Sequence, residues 1–168
     1  MKHLIRKFKE PKVGYYALMT YNCEVFFQPS LQNRTNIWSE DFLSLPVGGC
    51  YLVVDIGQDE KNRSIMKLLI NSNVVNVPMH MKNSMLFIKP TSFFEEKNFC
   101  ITGKLSYDRK IYEKIIELNG GYYKNFMNNN IDFLLTNGSH QTSKIEKAKS
   151  IGSAIISENK FWELISKK

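Results

Sequence analysis

The stretch Phe99–Ser106, FCITGKLS, runs a short apolar burst into a threonine, a glycine and a lysine. Two readings fit that pattern. One is a turn that needs Gly103. The other is a phosphate site, because a hydroxyl donates one hydrogen bond and a glycine lets its backbone N–H approach an anion with no Cβ in the way. These residues alone leave both open.

Other chemistry has little to stand on. The P-loop GxxxxGK[ST], the GxSxG elbow, HExxH and CxxC are all absent, and so is the K-x-D-G lysine motif of nucleotidyl transfer. Asp55, Asp59 and Glu60 cluster in a polar turn, where solvation is the ordinary role of an acid. Cys23, Cys50 and Cys100 are odd in number and far apart, each beside apolar residues, as expected of free thiols in a reducing compartment. His3, His80 and His140 stand at no zinc-ligand spacing from them. The expectation is a protein that is not an enzyme, with no cofactor and no structural metal.

Charge favours a polyanionic partner. The chain of 168 residues has a formal net charge of +7, which solubility alone can explain. Its distribution says more. Residues 1–96 hold 11 Lys/Arg against 9 Asp/Glu, and residues 97–168 hold 12 against 7, so the C-terminal part is the better place to meet phosphate. No apolar run reads as a signal peptide or a transmembrane span, so the expected location is intracellular, cytoplasmic, and nucleoid- or virus-associated. Sixteen Asn, with abundant Lys and Ile, hint at an AT-rich genome, viral or bacterial.

The elements that must position these groups fall into two kinds. Up to about residue 92 the pattern is β: Gly14–Thr20, Cys23–Gln28, Tyr51–Ile56, Ile65–Ile70, Val74–Val77 and Met85–Ile88 read as short strands. Between them, SEDFLSL reads as one helical turn capped by Ser39. Short strands without a long helix imply a small barrel or sandwich, and the meander Tyr51–Ile88 resembles an SH3-like barrel by strand length and turn placement. Tyr15, Tyr16, Tyr21, Phe26, Phe27 and Trp38 are either its core or the lining of a peptide groove. Residues 93–97 read as a linker.

From residue 98 to 168 strand and helix alternate. A strand at Phe99–Thr102 precedes a helix at Tyr107–Asn119, capped by Ser106 or Asp108, with Ile111, Ile115 and Leu118 on one face. Gly120 fits the left-handed position that ends it. Strands at Tyr122–Phe126, Asp132–Thr136 and Ala154–Ile156 follow. Ser143 is the expected cap of a helix from Lys144 to Ile151, and Ser157 of a last helix carrying Phe161, Leu164 and Ile165. The order implies a compact sheet covered by helices.

Residues 97–168 resemble a BRCT domain of the subgroup found in bacterial NAD-dependent DNA ligases and in the large subunit of replication factor C. The resemblance rests on FCITGKLS, on IIELNGG with its paired glycines, on NNNIDFLLTNG and on TSKIEKAKSIGSAIISENKFWELI. It implies an α/β fold with a four-stranded parallel sheet flanked by helices, and a phosphate pocket that falls on Thr102, Gly103 and Lys144. A lysine on a helix's first turn adds its charge to the partial positive charge already there. Lys104, Arg109 and Lys110 would extend that surface along a DNA backbone.

The chain is therefore expected to be a two-domain, non-catalytic module of DNA replication or repair. It would bind DNA at a 5′-phosphorylated end or nick, with its N-terminal domain contacting a protein partner or more of the duplex and no role at a membrane. The alternatives are a phosphopeptide- or protein-binding adaptor, or an accessory subunit of a DNA ligase or exonuclease.

Overall fold

The computed structural model describes residues 5–27, 41–138 and 142–167. The chain divides into two compact units, Phe8–Lys89 and Pro90–Lys168, the latter together with Met1–Lys7. Among the described residues, no helix is long and apolar enough to cross a membrane.

The first unit is antiparallel β. Its strands are β1 (Tyr16–Met19), β2 (Cys23–Phe27), β3 (Asp41–Leu45), β4 (Cys50–Gln58), β5 (Ser64–Ile70), β6 (Asn73–Pro78) and β7 (Met85–Ile88). Five of them make one sheet in the order β6-β5-β4-β1-β7, and β2 with β3 makes a separate two-stranded ribbon. The ribbon contributes Val25 and Leu45 to the core that Ala17, Met19, Val53, Met66, Leu68 and Phe87 build from the sheet.

β4, β5 and β6 pair in succession as a meander, and β7 returns to pair with β1; the described pairings make an antiparallel sheet and do not by themselves show a closed SH3-like barrel. One expectation fails here. The DFLSL part of the expected helical turn is β3, in register with β2 through Leu45↔Cys23 and Leu43↔Val25. The reason is legible in hindsight: Leu43, Ser44 and Leu45 alternate half-buried, exposed and buried, the period of a strand that covers a core with one face. Ser39 and Trp38 lie outside the described residues. Tyr15 packs on the core and Tyr21 is exposed. Asp55 sits in β4 opposite Lys67, and their side chains pair at 2.8 Å. Asp59 accepts from the backbone of Lys61 and Arg63 and pairs with the Arg63 guanidinium at 2.6 Å. Those hydrogen bonds hold both carboxyls below the usual range and account for both acids locally.

The second unit is parallel α/β: β8 (Asn98–Thr102), α1 (Arg109–Leu118), β9 (Tyr122–Tyr123), β10 (Phe133–Thr136), α2 (Ser143–Ile151), β11 (Ala154–Ser157) and α3 (Glu158–Ser166). The four strands form one parallel sheet in the order β11-β10-β8-β9. Parallel sheets are covered on both faces. On one side, Tyr112 of α1 meets Phe161 and Trp162 of α3, with Phe99 of β8 against Phe161. On the other, Ala148 of α2 packs with Cys100, Leu134, Met127 and Ile131.

Phe94, in the stretch whose composition reads as a linker, is buried, its ring 4.7 Å from Phe99 and 5.9 Å from Phe161. The strand expected over Tyr122–Phe126 pairs only at Tyr122 and Tyr123. The cap of α2 is Thr142, not Ser143, its Oγ accepting from the Ile145 N–H.

Candidate functional site

The topology alone marks one place on the parallel sheet. From β8 the chain crosses through α1 to β9 on one side; from β10 it crosses through α2 to β11 on the other. The order therefore reverses between β8 and β10. In open α/β sheets such a reversal opens a crevice beyond the carboxyl ends of the two strands, where ligands bind.

Three hydroxyls end the strands in a row there, Thr102, Thr136 and Ser157, which are register partners. Two serve local structure. Thr136 Oγ accepts from the Gly138 N–H at 3.2 Å, and Ser157 Oγ caps α3 by accepting from the Lys160 N–H at 3.2 Å. Thr102 Oγ instead lies 3.4 Å from Thr142 Oγ at the cap of α2. Strand alternation puts Thr102 on the same face as Cys100, the face covered by α2, so its hydroxyl reaches that helix's N-terminus.

Gly103 turns the chain out of β8 with φ at +81°, a conformation costly for any residue with a Cβ. A Cβ there would also stand 2.9 Å from Asn137 Oδ1. Asn137 Nδ2 donates to the Lys104 carbonyl, so the segment after β10 ties down the segment after β8.

Lys144 is the second residue of α2 and half-buried. Its Nζ donates to the Asn125 carbonyl at 2.9 Å and reaches the Ile101 carbonyl at 3.3 Å and Cys100 Sγ at 3.4 Å. Ile101 immediately precedes Thr102. Lys144 Nζ thus reaches the carbonyl of the residue before Thr102, and the Thr102 hydroxyl lies at the cap of the helix that carries Lys144. Together they offer an anion a full charge, a hydroxyl and the positive end of a helix.

Lys104, Arg109 and Lys110 sit elsewhere on the same edge, all three exposed. Lys104 and Arg109 line a shallow open pocket with Gly103, Leu105, Tyr107 and Asp108, on the α1 side of the β8–α1 loop. Lys110 follows on the first turn of α1, where Asp108 caps the helix through the Lys110 N–H. Gly103 is common to that pocket and to the crevice.

Sequence reasoning missed Glu158. It is the first residue of α3 and is buried. Its carboxylate accepts from the Ser106 N–H and Oγ at 3.2 Å, from the Trp162 indole N–H at 3.5 Å and from the Tyr112 hydroxyl. Burial, together with the carboxylate beside it, pushes the Tyr112 hydroxyl's pKa far up, so it stays protonated and donating. Glu158 therefore anchors the loop that carries Gly103 and Lys104 to the aromatic layer beneath it. The available signal was an acid at the first position of a capped helix, favoured by the dipole, but only Trp162 among its partners is near in sequence; Ser106 and Tyr112 are 52 and 46 residues away. Glu158→Gln keeps the shape and puts an NH2 against donors, so we expect a loss of about 2 kcal/mol in denaturant unfolding. Faster amide exchange should appear at residues 103–108. Unchanged exchange there would show that the loop does not depend on this carboxylate.

Among the described residues no group of three or more His, Cys, Asp or Glu is placed to hold a metal. Among the described residues, Cys23, Cys50 and Cys100 form no disulfide.

Fold and edge together define a small parallel α/β module with a crevice at its strand-order reversal. The family is the BRCA1 C Terminus (BRCT) domain, whose family model matches residues 89–165: this part of the chain is a BRCT domain. The chain is 30% identical over 142 residues to a DNA ligase of Mycoplasmopsis synoviae (strain 53), a match covering 82% of this chain and 19% of the ligase. It is 46% identical over 68 residues to a DNA ligase of Mesomycoplasma hyopneumoniae, covering 40% of this chain and 10% of the ligase. It thus spans about a fifth or less of the length of these relatives. The longer match exceeds the BRCT region and takes in part of the N-terminal half. Among solved structures, BRCT3,4 of S. pombe Rad4 aligns with a TM-score of 0.43 and 19% identity, over 49% of this chain and 47% of that one.

Proposed function

We propose that the chain is a non-catalytic module of DNA replication or repair whose BRCT domain binds a 5′-phosphorylated DNA end or nick. Thr102, Gly103 and Lys144 hold the phosphate, and Lys104, Arg109 and Lys110 follow the backbone beyond it. The reading is supported by two contacts at the strand-order reversal: Lys144 Nζ reaches the carbonyl of Ile101, next to Thr102, at 3.3 Å, and the Thr102 hydroxyl lies 3.4 Å from Thr142 Oγ at the cap of α2. The charge surplus of residues 97–168 and the similarity to DNA ligases favour DNA over a phosphorylated peptide as the bearer of that phosphate. The N-terminal unit would contact a protein partner, for which Tyr21 and Val74 are exposed apolar groups.

Binding of the full chain to matched duplexes with and without a 5′ phosphate, across a salt series, tests this. The phosphorylated end should bind about tenfold tighter or more, since charge-assisted contacts contribute roughly 1.5–3 kcal/mol each. Affinity should fall with a log–log salt slope of about −3 to −4, the signature of a few released counterions. Equal affinity for both ends would defeat the end-binding reading, and preference for a phosphopeptide over either duplex would move the function to an adaptor.

A further inference from the structure

Among the described residues, Phe126 is the most exposed of the large apolar side chains, at 65%. A solitary exposed aromatic needs no explanation in general, but this one sits on a segment that is held. The Lys124 N–H donates to the Phe99 carbonyl at 2.8 Å, which ties the segment's start to β8. The Asn125 carbonyl takes the Lys144 ammonium at 2.9 Å. Met127 is buried against α2 and the sheet. Phe126 is thus the one outward residue between two anchored neighbours, one Cα step of about 3.8 Å from the residue that touches Lys144. Its neighbour Tyr122 is also exposed, but Lys124 Nζ lies 5.6 Å from that ring's centroid and occupies one face. The Phe126 ring has no ring or cation contact among the described residues.

We propose, building on the reading of Lys144 and Thr102 as a 5′-phosphate site, that Phe126 stacks on the terminal base of the DNA end whose phosphate that site holds. A phosphate in mid-duplex and one at an end carry similar charge; what an end adds is an exposed base face within one nucleotide of its phosphate. An aromatic side chain beside the ammonium reads that face, and it does so without sequence preference because every base has a π-face. Lys144, whose ammonium sits on the Asn125 carbonyl, and Lys124, two residues from Phe126 in the chain, supply positive charge that a nucleic acid needs and an apolar protein partner does not. The anchored backbone on both sides leaves little to be ordered on binding.

The test uses the full chain and a 5′-phosphorylated blunt duplex carrying 2-aminopurine as its terminal base. The unmodified protein should change the fluorescence of that base, and a probe placed at the duplex centre should not respond. Phe126→Ala should abolish the terminal signal and weaken binding about tenfold. The ratio of affinities for phosphorylated and unphosphorylated ends should survive, because the ring touches the base and not the phosphate. Phe126→Trp should retain both signal and affinity. If Phe126→Ala leaves signal and affinity intact while the phosphate preference persists, stacking is wrong and the phosphate site stands. If the unmodified protein shows no phosphate preference, the site and the stacking fall together.

Discussion

Gly121→Val should unfold the BRCT domain. Helix α1 ends in a Schellman arrangement: the Gly120 N–H donates to the Glu117 carbonyl at 3.0 Å and the Gly121 N–H to the Ile116 carbonyl at 2.9 Å. The two glycines are needed for different reasons. Gly120 takes the left-handed position, with φ at +81°, and a Cβ there would meet nothing closer than 3.4 Å. Gly121 has no such conformation, but a Cβ on it would stand 2.9 Å from Ile116 Cγ2, 3.0 Å from Phe94 Cβ and 3.3 Å from the Lys97 carbonyl oxygen. One of those neighbours is backbone, and Phe94 is locked between Phe99 and Phe161. Overpacking of this kind costs about 1–3 kcal/mol per insertion, and valine brings two further methyls. We expect a loss of about 4 kcal/mol or more, enough to empty the native state of a marginally stable domain. Far-UV circular dichroism with amide exchange on the full chain checks this: exchange protection should vanish over residues 98–166. Gly120→Ala, by contrast, should cost only about 1 kcal/mol. Retained protection in Gly121→Val would mean that Phe94 and α1 can move apart.

Lys144→Ala should remove the preference for a 5′ phosphate while leaving the fold intact. An ammonium has three N–H donors, and three acceptors surround this one: a carbonyl at 2.9 Å, a second at 3.3 Å and a sulfur at 3.4 Å. The last two are long, and sulfur is a weak acceptor. A phosphate arriving at Thr102 would displace one or both, gaining a charge-assisted bond of roughly 1.5–3 kcal/mol in place of a weak one. The expected result is a loss of about 10- to 100-fold in affinity for the phosphorylated end and little change for the unphosphorylated one. Stability should fall by less than about 1 kcal/mol, because Lys144 is half-buried and Asn125 is open to water. Unaltered discrimination between the two ends would remove Lys144 from the site.

Much of the second unit is readable from its sequence because its rules are local. Ile111 and Ile115 give α1 its buried face at helical spacing, and both are fully buried. Gly120 announces the end of α1 through its backbone freedom, and Ser157 caps α3 as a serine before an acid does. Where two adjacent residues can play one role, the local signal fails. Thr142 and Ser143 are both good caps, and the fold gives the role to Thr142, whose backbone is extended while Ser143 is already helical. Phe161 and Trp162 are both buried, because α3 meets the sheet with one and α1 with both.

The first unit is less legible because its order is set by non-local pairing. Asn71 and Ser72, both at positive φ, make the tight turn that joins β5 to β6, a turn the run Asn71–Asn73 does predict. Nothing nearby in sequence says that β7 joins β1, some 66 to 72 residues earlier. The ribbon of β2 and β3 is likewise a cross-strand matter, and a seven-residue window cannot tell it from a helical turn.

By itself, then, the sequence determined the succession of strands and helices after residue 98, the resemblance to BRCT domains, and Thr102, Gly103 and Lys144 as a group worth testing. The tertiary structure decided what those residues face. It put Lys144 on the carbonyl of Asn125, bound the β8–α1 loop to Glu158, set Lys104 and Arg109 on the α1 side of that loop and left Phe126 exposed on an anchored segment. The reason is distance along the chain. Helix faces, caps and turns are made by residues a few positions apart, whereas a site at the carboxyl edge of a parallel sheet is made by segments that each end a different strand.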